Sequence, residues 1–145
     1  MKRFASANWK GGLKGGKGTV TAASGAFNNL PYNFVQRFES GAGSSPEELI
    51  AAAHASCFAM ALSAELEKAG LPPENVDAKS TVTLEKVESG FAVTSSHLEV
   101  VVKLSTPDQA KFEQAANAAK TGCPISKLLN AKITQIGRAS CRERV

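Results

Sequence analysis

One long apolar helix constrains the fold of this chain more than any other feature. Ser45 is suited to be its N-cap, Pro46 to the first helical position, and Glu48 to a capping box. The helix is predicted to run to about Ala69, where a glycine and two prolines stop it. Residues 49–64 are apolar or small on most faces, which is typical of a helix that other parts of the protein cover.

The elements around this helix predict an α+β protein. A strand is predicted over residues 32–38, where three aromatic side chains occur. Behind the helix, strands over residues 78–87 and 91–104 form a hairpin, a helix follows over 107–120, and a final strand begins at residue 131. Strands and helices do not alternate in this order, which favours an α+β fold over an alternating α/β fold.

The composition fits one soluble domain. The chain has 145 residues, of which 43% are hydrophobic and 21% charged, enough to bury a core. Its formal charge is only +4, half of it from residues 137–145, and the lysines are scattered without interleaved aromatics, so we expect no nucleic-acid partner. No apolar segment follows the basic first residues, and the apolar run at 49–64 is short for a span. We therefore expect a cytoplasmic protein with no membrane partner.

Two cysteines lie in different helical contexts. Cys57 is inside the long apolar helix, whereas Cys123 is at the predicted start of a short one. The first free N–H groups of a helix favour a thiolate beside them. Because structural disulfides are rare in the cytoplasm, a pair of cysteines there is more often catalytic or metal-binding. Redox chemistry is one interpretation, and inert buried cysteines are a common alternative.

His54 precedes Cys57 by three residues, on the same face of the predicted helix. It could act as a base for the thiol, contribute to a metal site, or simply pack in the interior. A metal site needs three or four ligands, and the only other histidine, His97, falls in a strand pattern. A packed or interface histidine is therefore the favoured interpretation.

Two charged residues upstream are less easily explained. Glu48 suits the capping box, but capping does not specifically require Glu47. Arg37 lies within the aromatic segment predicted as a strand. Taken alone, such an arginine is more often ion-paired or at the surface than functional.

The end of the chain differs in composition from the rest. Residues 136–145 carry three of the five arginines and read like an in-frame translation of a common sequencing adapter. We interpret residues 1–135 as the functional domain and residues 136–145 as a non-native read-through tail. Cys141 then has no functional role.

Two motifs resemble the OsmC branch of the OsmC/Ohr peroxidase family. The first comprises residues 31–39 followed by residues 45–58, and the second comprises residues 122–129. They occur in order and contain both cysteines, and the resemblance covers roughly residues 3–135. It implies an OsmC-like α+β fold, with antiparallel sheets around the long cysteine-bearing helix, in an intertwined homodimer.

The resemblance also implies an activity and a set of residue roles. Members of the family are thiol-dependent peroxidases that reduce organic hydroperoxides, and hydrogen peroxide less well, in oxidative or osmotic stress. Cys57 would be the peroxidatic cysteine and Cys123 the resolving one. Arg37 and Glu47 would hold the thiolate of Cys57. An external dithiol, such as a lipoyl group, would reduce the enzyme, and no metal, haem or flavin is needed.

A non-catalytic protein is the alternative, either a small-molecule-binding or a structural dimer with an inert Cys57.

For the catalytic interpretation, the spacing of Glu47 and Cys57 adds a constraint on assembly. Glu47 and Cys57 are ten residues apart on one predicted helix, which is about 15 Å along its axis. A glutamate side chain does not cover that distance. We therefore expect a homodimer with its long helices packed together, in which each active site mixes residues of both chains.

Overall fold

The structure is a computed structural model that describes residues 1–39 and 43–141. The chain forms two compact units, Met1–Leu49 and Ile50–Val145. The α+β class predicted from the sequence is confirmed, because each unit has a three-stranded sheet and helices accompany both. The division into a domain over residues 1–135 and a tail stays a prediction.

The first unit contains an antiparallel sheet in the order β1-β2-β3. Its strands are β1 Ala5–Lys10, β2 Lys17–Ala22 and β3 Leu30–Tyr32. The rings of Trp9 and Tyr32 lie 5.4 Å apart. Gly18 lies against both rings, so that even a Cβ atom at this position would collide with them. A side chain at residue 18 would therefore disrupt this aromatic cluster.

The strand predicted over residues 32–38 is wrong beyond its first residue, because helix α1 occupies Phe34–Phe38. Asn33 caps this helix, and its side-chain oxygen accepts a hydrogen bond from the backbone N–H of Gln36 at 3.0 Å. The rings of Phe34 and Phe38 lie 4.9 Å apart. Residues four apart are neighbours on a helix, so the aromatic spacing indicated a helix rather than a strand.

Helix α2, Pro46–Lys68, forms as predicted. The Ser45 hydroxyl accepts a hydrogen bond from the backbone N–H of Glu48 at 3.1 Å. At the other end Gly70 adopts φ +78°, and the N–H of Leu71 donates to the carbonyl of Leu66 at 2.8 Å. This is the left-handed C-terminal motif that a glycine permits, and it ends the helix within a residue of the expected position.

The second unit contains a sheet in the order β4-β5-β6. Its strands are β4 Asn75–Val87, β5 Gly90–Lys103 and β6 Lys132–Ser140, and its other helices are α3 Gln109–Gly122 and α4 Pro124–Leu128. Strands β4 and β5 form the predicted antiparallel hairpin. Strand β6 pairs with β5 in parallel, whereas antiparallel sheets were expected. Two helices separate β5 from β6, and a connection of this length lets the chain return to the same end of the sheet.

The core of this unit lies between α2, α3 and one face of β5. The buried residues of β5 alternate, and those of α3 follow helical spacing. The fully or nearly fully buried apolar side chains are Phe58, Leu62, Leu66, Leu98, Val100, Val102, Leu104, Phe112, Ala115, Ala116 and Ala119. This packing fixes the rotation of α2 from residue 50 onward, and therefore which of its residues face inward.

Helix α2 has one buried face and one open face within the described part of the chain. His54, Phe58, Leu62 and Leu66 recur every four residues and are completely buried. Another face is exposed and consists of small or apolar side chains, namely Ala52, Ala53, Ser56, Met60 and Ala64. Met60 is 77% exposed. By length and composition α2 could cross a membrane, a test that core helices of soluble proteins also pass.

The first residues of the predicted tail belong to β6. Residues 136–140 pair with residues 99–103 of β5, and the carbonyl of Ser140 accepts from the N–H of Leu104 at 2.8 Å. Gly137 lies against the side chains of Val100 and Phe112. Residues 142–145 lie outside the described residues. The read-through origin of the segment stays a hypothesis, but its first half completes a strand.

Candidate active site

The two predicted redox cysteines lie together in the second unit. The Sγ atoms of Cys57 and Cys123 are 2.9 Å apart, and both residues are thiols. A disulfide bond is about 2.05 Å long, so oxidation would need a closure of less than about 1 Å. Cys57 is partly exposed on α2, whereas Cys123 is completely buried. An oxidant could therefore reach Cys57 more easily than Cys123.

The junction of two helices positions Cys123. Its N–H still donates to the carbonyl of Ala119 in the last turn of α3, at 2.9 Å. Pro124 then begins α4, and the carbonyl of Cys123 accepts from the N–H of Lys127 at 3.1 Å. Proline suits a first helical position because its missing N–H would have no partner there. Cys123 is thus held as the N-cap of α4, as the sequence predicted.

The surroundings of Cys57 disfavour its thiolate. Burial raises the pKa of this thiol above the ordinary 9.0, and the contact with Cys123 raises it further. A hydrogen bond from the backbone N–H of Ile125 acts in the opposite direction but does not outweigh them. Ionisation of Cys57 therefore needs a positive charge that these contacts do not supply.

The surroundings of Cys123 favour its thiolate. Burial raises the pKa of this thiol, but the hydrogen bond with Cys57 opposes burial. The backbone N–H groups of Ser126 and Ile125 and the Ser126 hydroxyl add to that opposition. Together they hold the pKa of Cys123 below 9.0. Within this pair of sulfurs, Cys123 is the better supported anion.

The other two predicted site residues form an ion pair in the first unit. Arg37 Nε and Glu47 Oε1 are 3.1 Å apart, with Arg37 in the last turn of α1 and Glu47 in the first turn of α2. The guanidinium also lies 5.1 Å from the ring centroid of Phe38. Glu47 Oε2 is buried and has no hydrogen-bond partner among the described residues. Burying a carboxylate oxygen without a hydrogen bond costs free energy. Glu47 Oε2 can therefore accept a hydrogen bond from a further donor.

A cavity of about 270 Å³ opens beside Arg37 in the first unit. It is lined by Trp9, Leu13, Tyr32, Asn33, Phe34, Arg37 and Phe38. Most of these side chains are aromatic or aliphatic, and one cation is present. Such a lining suits a small molecule that has an apolar body and a polar end.

The structure shows the surroundings of His54, for which the sequence allowed several roles. Its Nδ1 atom lies 2.6 Å from the Ser96 hydroxyl, and its Nε2 atom lies 2.8 Å from the Ser126 hydroxyl. The side chain is completely buried, and burial lowers its pKa below 6.5, so that the ring is neutral near pH 7. The described residues contain no group of three metal-ligating side chains. His54 is thus a buried, fully hydrogen-bonded histidine.

The sequence matches the OsmC-like protein family over residues 39–136. It is also 48% identical over 128 residues to peroxiredoxin OsmC of Escherichia coli (strain K12), covering 88% of this chain and 90% of that protein. The chain belongs to the OsmC family. The family predicted from the two cysteine motifs is therefore confirmed.

Two further relatives agree with this assignment. Organic hydroperoxide resistance protein OhrB of Bacillus subtilis (strain 168) is 29% identical over 126 residues, covering 83% of this chain and 88% of its own. Its crystal structure has a TM-score of 0.67 and covers 94% of this chain and 98% of that chain. An OsmC-like protein of unknown function from Vibrio cholerae has a TM-score of 0.74 at 18% identity, covering 94% of this chain and 99% of its own. The OsmC-like fold is confirmed.

Proposed function

We propose that Cys57 and Cys123 are the two reacting groups of this chain, which is a thiol-dependent peroxidase of the OsmC family. A peroxidase of this kind takes a hydroperoxide and consumes a reductant. The observation that carries the proposal is the 2.9 Å separation of the two Sγ atoms. Two thiols at this distance can be oxidised to a disulfide with little movement of the backbone.

The reaction proceeds in two steps. The thiolate of Cys57 attacks the terminal oxygen of the hydroperoxide, an S–O bond forms, the O–O bond breaks, and the alkoxide leaves as an alcohol after taking up a proton. The thiolate of Cys123 then attacks the sulfur of the Cys57 sulfenic acid. An S–S bond forms, the S–O bond breaks, and hydroxide leaves as water after protonation. An external dithiol returns both cysteines to thiols by exchange.

Arg37 and Glu47 activate Cys57 in this proposal. Because the pKa of Cys57 is raised by burial, a cation must offset the cost of its negative charge. An arginine side chain supplies a fixed positive charge and several N–H donors in one plane. Glu47 orients the guanidinium through the 3.1 Å ion pair and leaves its other donors available. Loss of either residue should reduce the population of the Cys57 thiolate.

Organic hydroperoxides are the preferred substrates in this proposal. The cavity beside Arg37 offers an apolar lining for an alkyl group, and the guanidinium can hold the polar peroxide end. Hydrogen peroxide has no apolar group to bury and gains nothing from that lining. The name of the Bacillus subtilis relative, an organic hydroperoxide resistance protein, supports the same substrate class.

We also propose that the active unit is a homodimer in which Arg37 and Glu47 of one chain serve Cys57 of its partner. Helix α2 is continuous from Pro46 to Lys68, so no break shortens the distance expected from ten intervening helical steps. The open face of α2 consists of small and apolar side chains that a second copy could cover closely. The proposed cellular setting is the cytoplasm, where thiols stay reduced and dithiol reductants such as lipoyl groups are available.

Subunit exchange tests this shared site. Mixing inactive Cys57→Ser chains with inactive Glu47→Ala chains should restore activity, because each mixed dimer has one intact Cys57 facing one intact Glu47. Once exchange is complete, about a quarter of the activity of unmixed unmodified protein should return, since half of the dimers are mixed and each has one working site of two.

Glu48→Ala is the matched control, because Glu48 is the exposed neighbour whose backbone N–H, not its side chain, takes part in the helix cap. Chains with that change should be active by themselves. If exchange is demonstrated by mass measurement and no activity returns, Glu47 serves its own chain and the shared site is wrong.

A further inference from the structure

Two side-chain contacts join α2 to the start of α4. The Sγ atoms of Cys57 and Cys123 are 2.9 Å apart, and His54 Nε2 lies 2.8 Å from the Ser126 hydroxyl. His54 precedes Cys57 by three residues on α2, and Ser126 follows Cys123 by three residues on α4. Three residues make about one helical turn, so the hydrogen bond lies one turn from the sulfur pair on both helices.

The imidazole of His54 is fixed on its other side by the sheet. Its Nδ1 atom lies 2.6 Å from the Ser96 hydroxyl of β5, which lies 2.9 Å from the Ser80 hydroxyl of β4. His54 and Ser96 are completely buried, so water does not compete for these bonds. The ring therefore presents Nε2 to Ser126 from a fixed position.

Helix α4 has few other anchors. It consists of five residues, Pro124–Leu128, and none of them is fully buried. Leu128, its last residue, is 74% exposed. A helix of this length is not stable by itself in water. The position of α4 against α2 therefore depends on single side-chain contacts such as that of His54 with Ser126.

We propose that His54 is a positioning residue for disulfide formation, because its hydrogen bond to Ser126 holds α4, and with it Cys123, within reach of Cys57. The inference rests on the proposed redox role of the two cysteines. It adds a residue that acts through Ser126 and takes no part in bond making. Its contribution is to keep the two thiols together, which raises the effective concentration of one at the other.

This role has a thermodynamic consequence that packing alone does not have. The disulfide forms only when α4 lies against α2, so its equilibrium constant is proportional to the fraction of the dithiol form in which α4 is held there. Loss of the hydrogen bond would lower that fraction. A hydrogen bond that merely filled the interior would be equally strong in the dithiol and disulfide forms, and its loss would leave the equilibrium unchanged.

Redox equilibrium with dithiothreitol measures this consequence. Two protein thiols and oxidised dithiothreitol exchange to give the protein disulfide and reduced dithiothreitol, and alkylation with intact mass counts the remaining thiols. In Ser126→Ala the equilibrium constant for the Cys57–Cys123 disulfide should fall about ten-fold, as expected when a buried ring nitrogen is left without a partner. A ten-fold fall raises the reduction potential by about 30 mV.

A conservative variant and a matched control accompany Ser126→Ala. Ser126→Thr keeps the hydroxyl and should restore the unmodified equilibrium constant. Thr134→Val is the control, because the Thr134 hydroxyl also lies close to a histidine, 2.6 Å from His97 Nδ1. That contact joins β5 to β6 and involves neither α2 nor α4, so its loss should leave the constant unchanged.

Two substitutions of His54 separate its two contacts. An asparagine amide lies where Nδ1 lies but does not extend to Nε2, whereas a glutamine amide extends to that position. His54→Asn should therefore lower the equilibrium constant as Ser126→Ala does, and His54→Gln should lower it less. If His54 acts through Ser126, combining His54→Asn with Ser126→Ala should lower the constant no further.

A single turnover shows which step is affected. Reduced protein receives one equivalent of an alkyl hydroperoxide, and the sulfenic acid and the disulfide are followed by quenching and intact mass. In Ser126→Ala the sulfenic acid of Cys57 should form at the unmodified rate, whereas the disulfide should form more slowly. Under excess peroxide this variant should therefore accumulate more sulfinic acid than the unmodified protein.

Several results would overturn the inference. One is an unchanged equilibrium constant in Ser126→Ala. Another is a larger constant, because loss of a hydroxyl that only supported the Cys123 thiolate would favour the disulfide. Additive effects in the double variant would also overturn it. If His54→Asn does not fold, equal constants in Ser126→Ala and Ser126→Thr would overturn it instead.

Failure of the proposed function is a separate result. The dithiothreitol equilibrium is measured without peroxide and reports the positioning of the two thiols alone. If the unmodified protein forms no Cys57–Cys123 disulfide with an alkyl hydroperoxide, the peroxidase function fails.

Discussion

Cys57 and Cys123 lie 2.9 Å apart, yet their surroundings act on them in opposite directions. Cys57 is in the middle of a helix, where the backbone N–H groups are already engaged, and burial raises its pKa. Cys123 is at a helix start, where the hydrogen bond with Cys57, two backbone N–H groups and a serine hydroxyl lower its pKa despite complete burial. Among its described residues, the second unit thus favours the thiolate of Cys123, and no cation there lowers the pKa of Cys57.

This difference indicates how the two steps are controlled. In the proposed mechanism, the resolving step would depend on local hydrogen bonds that every chain carries near its own Cys123. The attacking step would depend on the Arg37–Glu47 pair of the first unit, which we propose acts from the partner chain. Assembly would then govern the first step and leave the second to the individual subunit.

The largest expected effect is that of Cys57→Ser. A serine hydroxyl cannot replace the thiolate as a nucleophile without a strong base nearby, so peroxidase turnover should fall by at least about 10³-fold. Steady-state consumption of an alkyl hydroperoxide with an excess of dithiol measures it. Cys141→Ser is the control and should remain active, because Cys141 is exposed and the proposed mechanism does not use it. Turnover that survives in Cys57→Ser would reverse the roles of the two cysteines.

Cys123→Ser should impair a different step of the reaction from Cys57→Ser. The first oxidation of Cys57 should proceed, but the sulfenic acid has no resolving thiol and should be oxidised further to sulfinic acid. Intact mass after excess peroxide should show a gain of about two oxygen atoms per chain, by the chemistry of that series. If Cys57 stays at the thiol or sulfenic state under excess peroxide, Cys123 is not what normally protects it.

The order in which the two thiols ionise tests the comparison of Cys57 with Cys123 directly. In Cys141→Ser protein, which keeps both cysteines of the pair, ultraviolet thiolate absorbance should rise in two steps, and the first, that of Cys123, should have its midpoint below 9.0. For an acid with a lowered pKa, the thiolate appears at lower pH, so this signal should rise first. Cys57 should titrate above 9.0 when Arg37→Ala removes the cation, and lower when Arg37 is present. If Arg37→Ala leaves the titration midpoint of Cys57 unchanged, Arg37 does not activate Cys57.

A smaller effect concerns stability in acid. Because burial lowers the pKa of His54, the unfolded chain binds a proton below about pH 6.5 before the folded chain does. The free energy of unfolding should therefore fall as the pH drops below that value, and His54→Gln should lose this component. Denaturant unfolding between about pH 7.5 and about pH 5.5 measures it, with His97→Gln as the matched variant. An unchanged pH dependence in His54→Gln would show that other groups cause it.

Features with local signals were predictable from the sequence. Ser45, Glu48 and Gly70 are caps whose chemistry acts within one helical turn, and α2 forms between them. The error at residues 32–38 came from treating aromatics as strand formers, although the Asn33 cap and the four-residue spacing of Phe34 and Phe38 favour a helix.

Long-range features were not predictable from local patterns. The parallel pairing of β6 with β5 depends on where two intervening helices return the chain. The contact of His54 with Ser126 joins residues 72 positions apart. The pairing of Cys57 with Cys123 was expected only through the family resemblance, because spacing in the sequence does not show which helices meet.

The most direct test of the account is the fate of the thiols in one turnover. Fully reduced protein, with three cysteines per chain, receives one equivalent of an alkyl hydroperoxide, followed by thiol counting and disulfide mapping. The account predicts one alcohol released per peroxide, two thiols lost per chain, a single Cys57–Cys123 disulfide, and an unmodified Cys141. Retention of all three thiols with the peroxide intact, or a disulfide that includes Cys141, would contradict it.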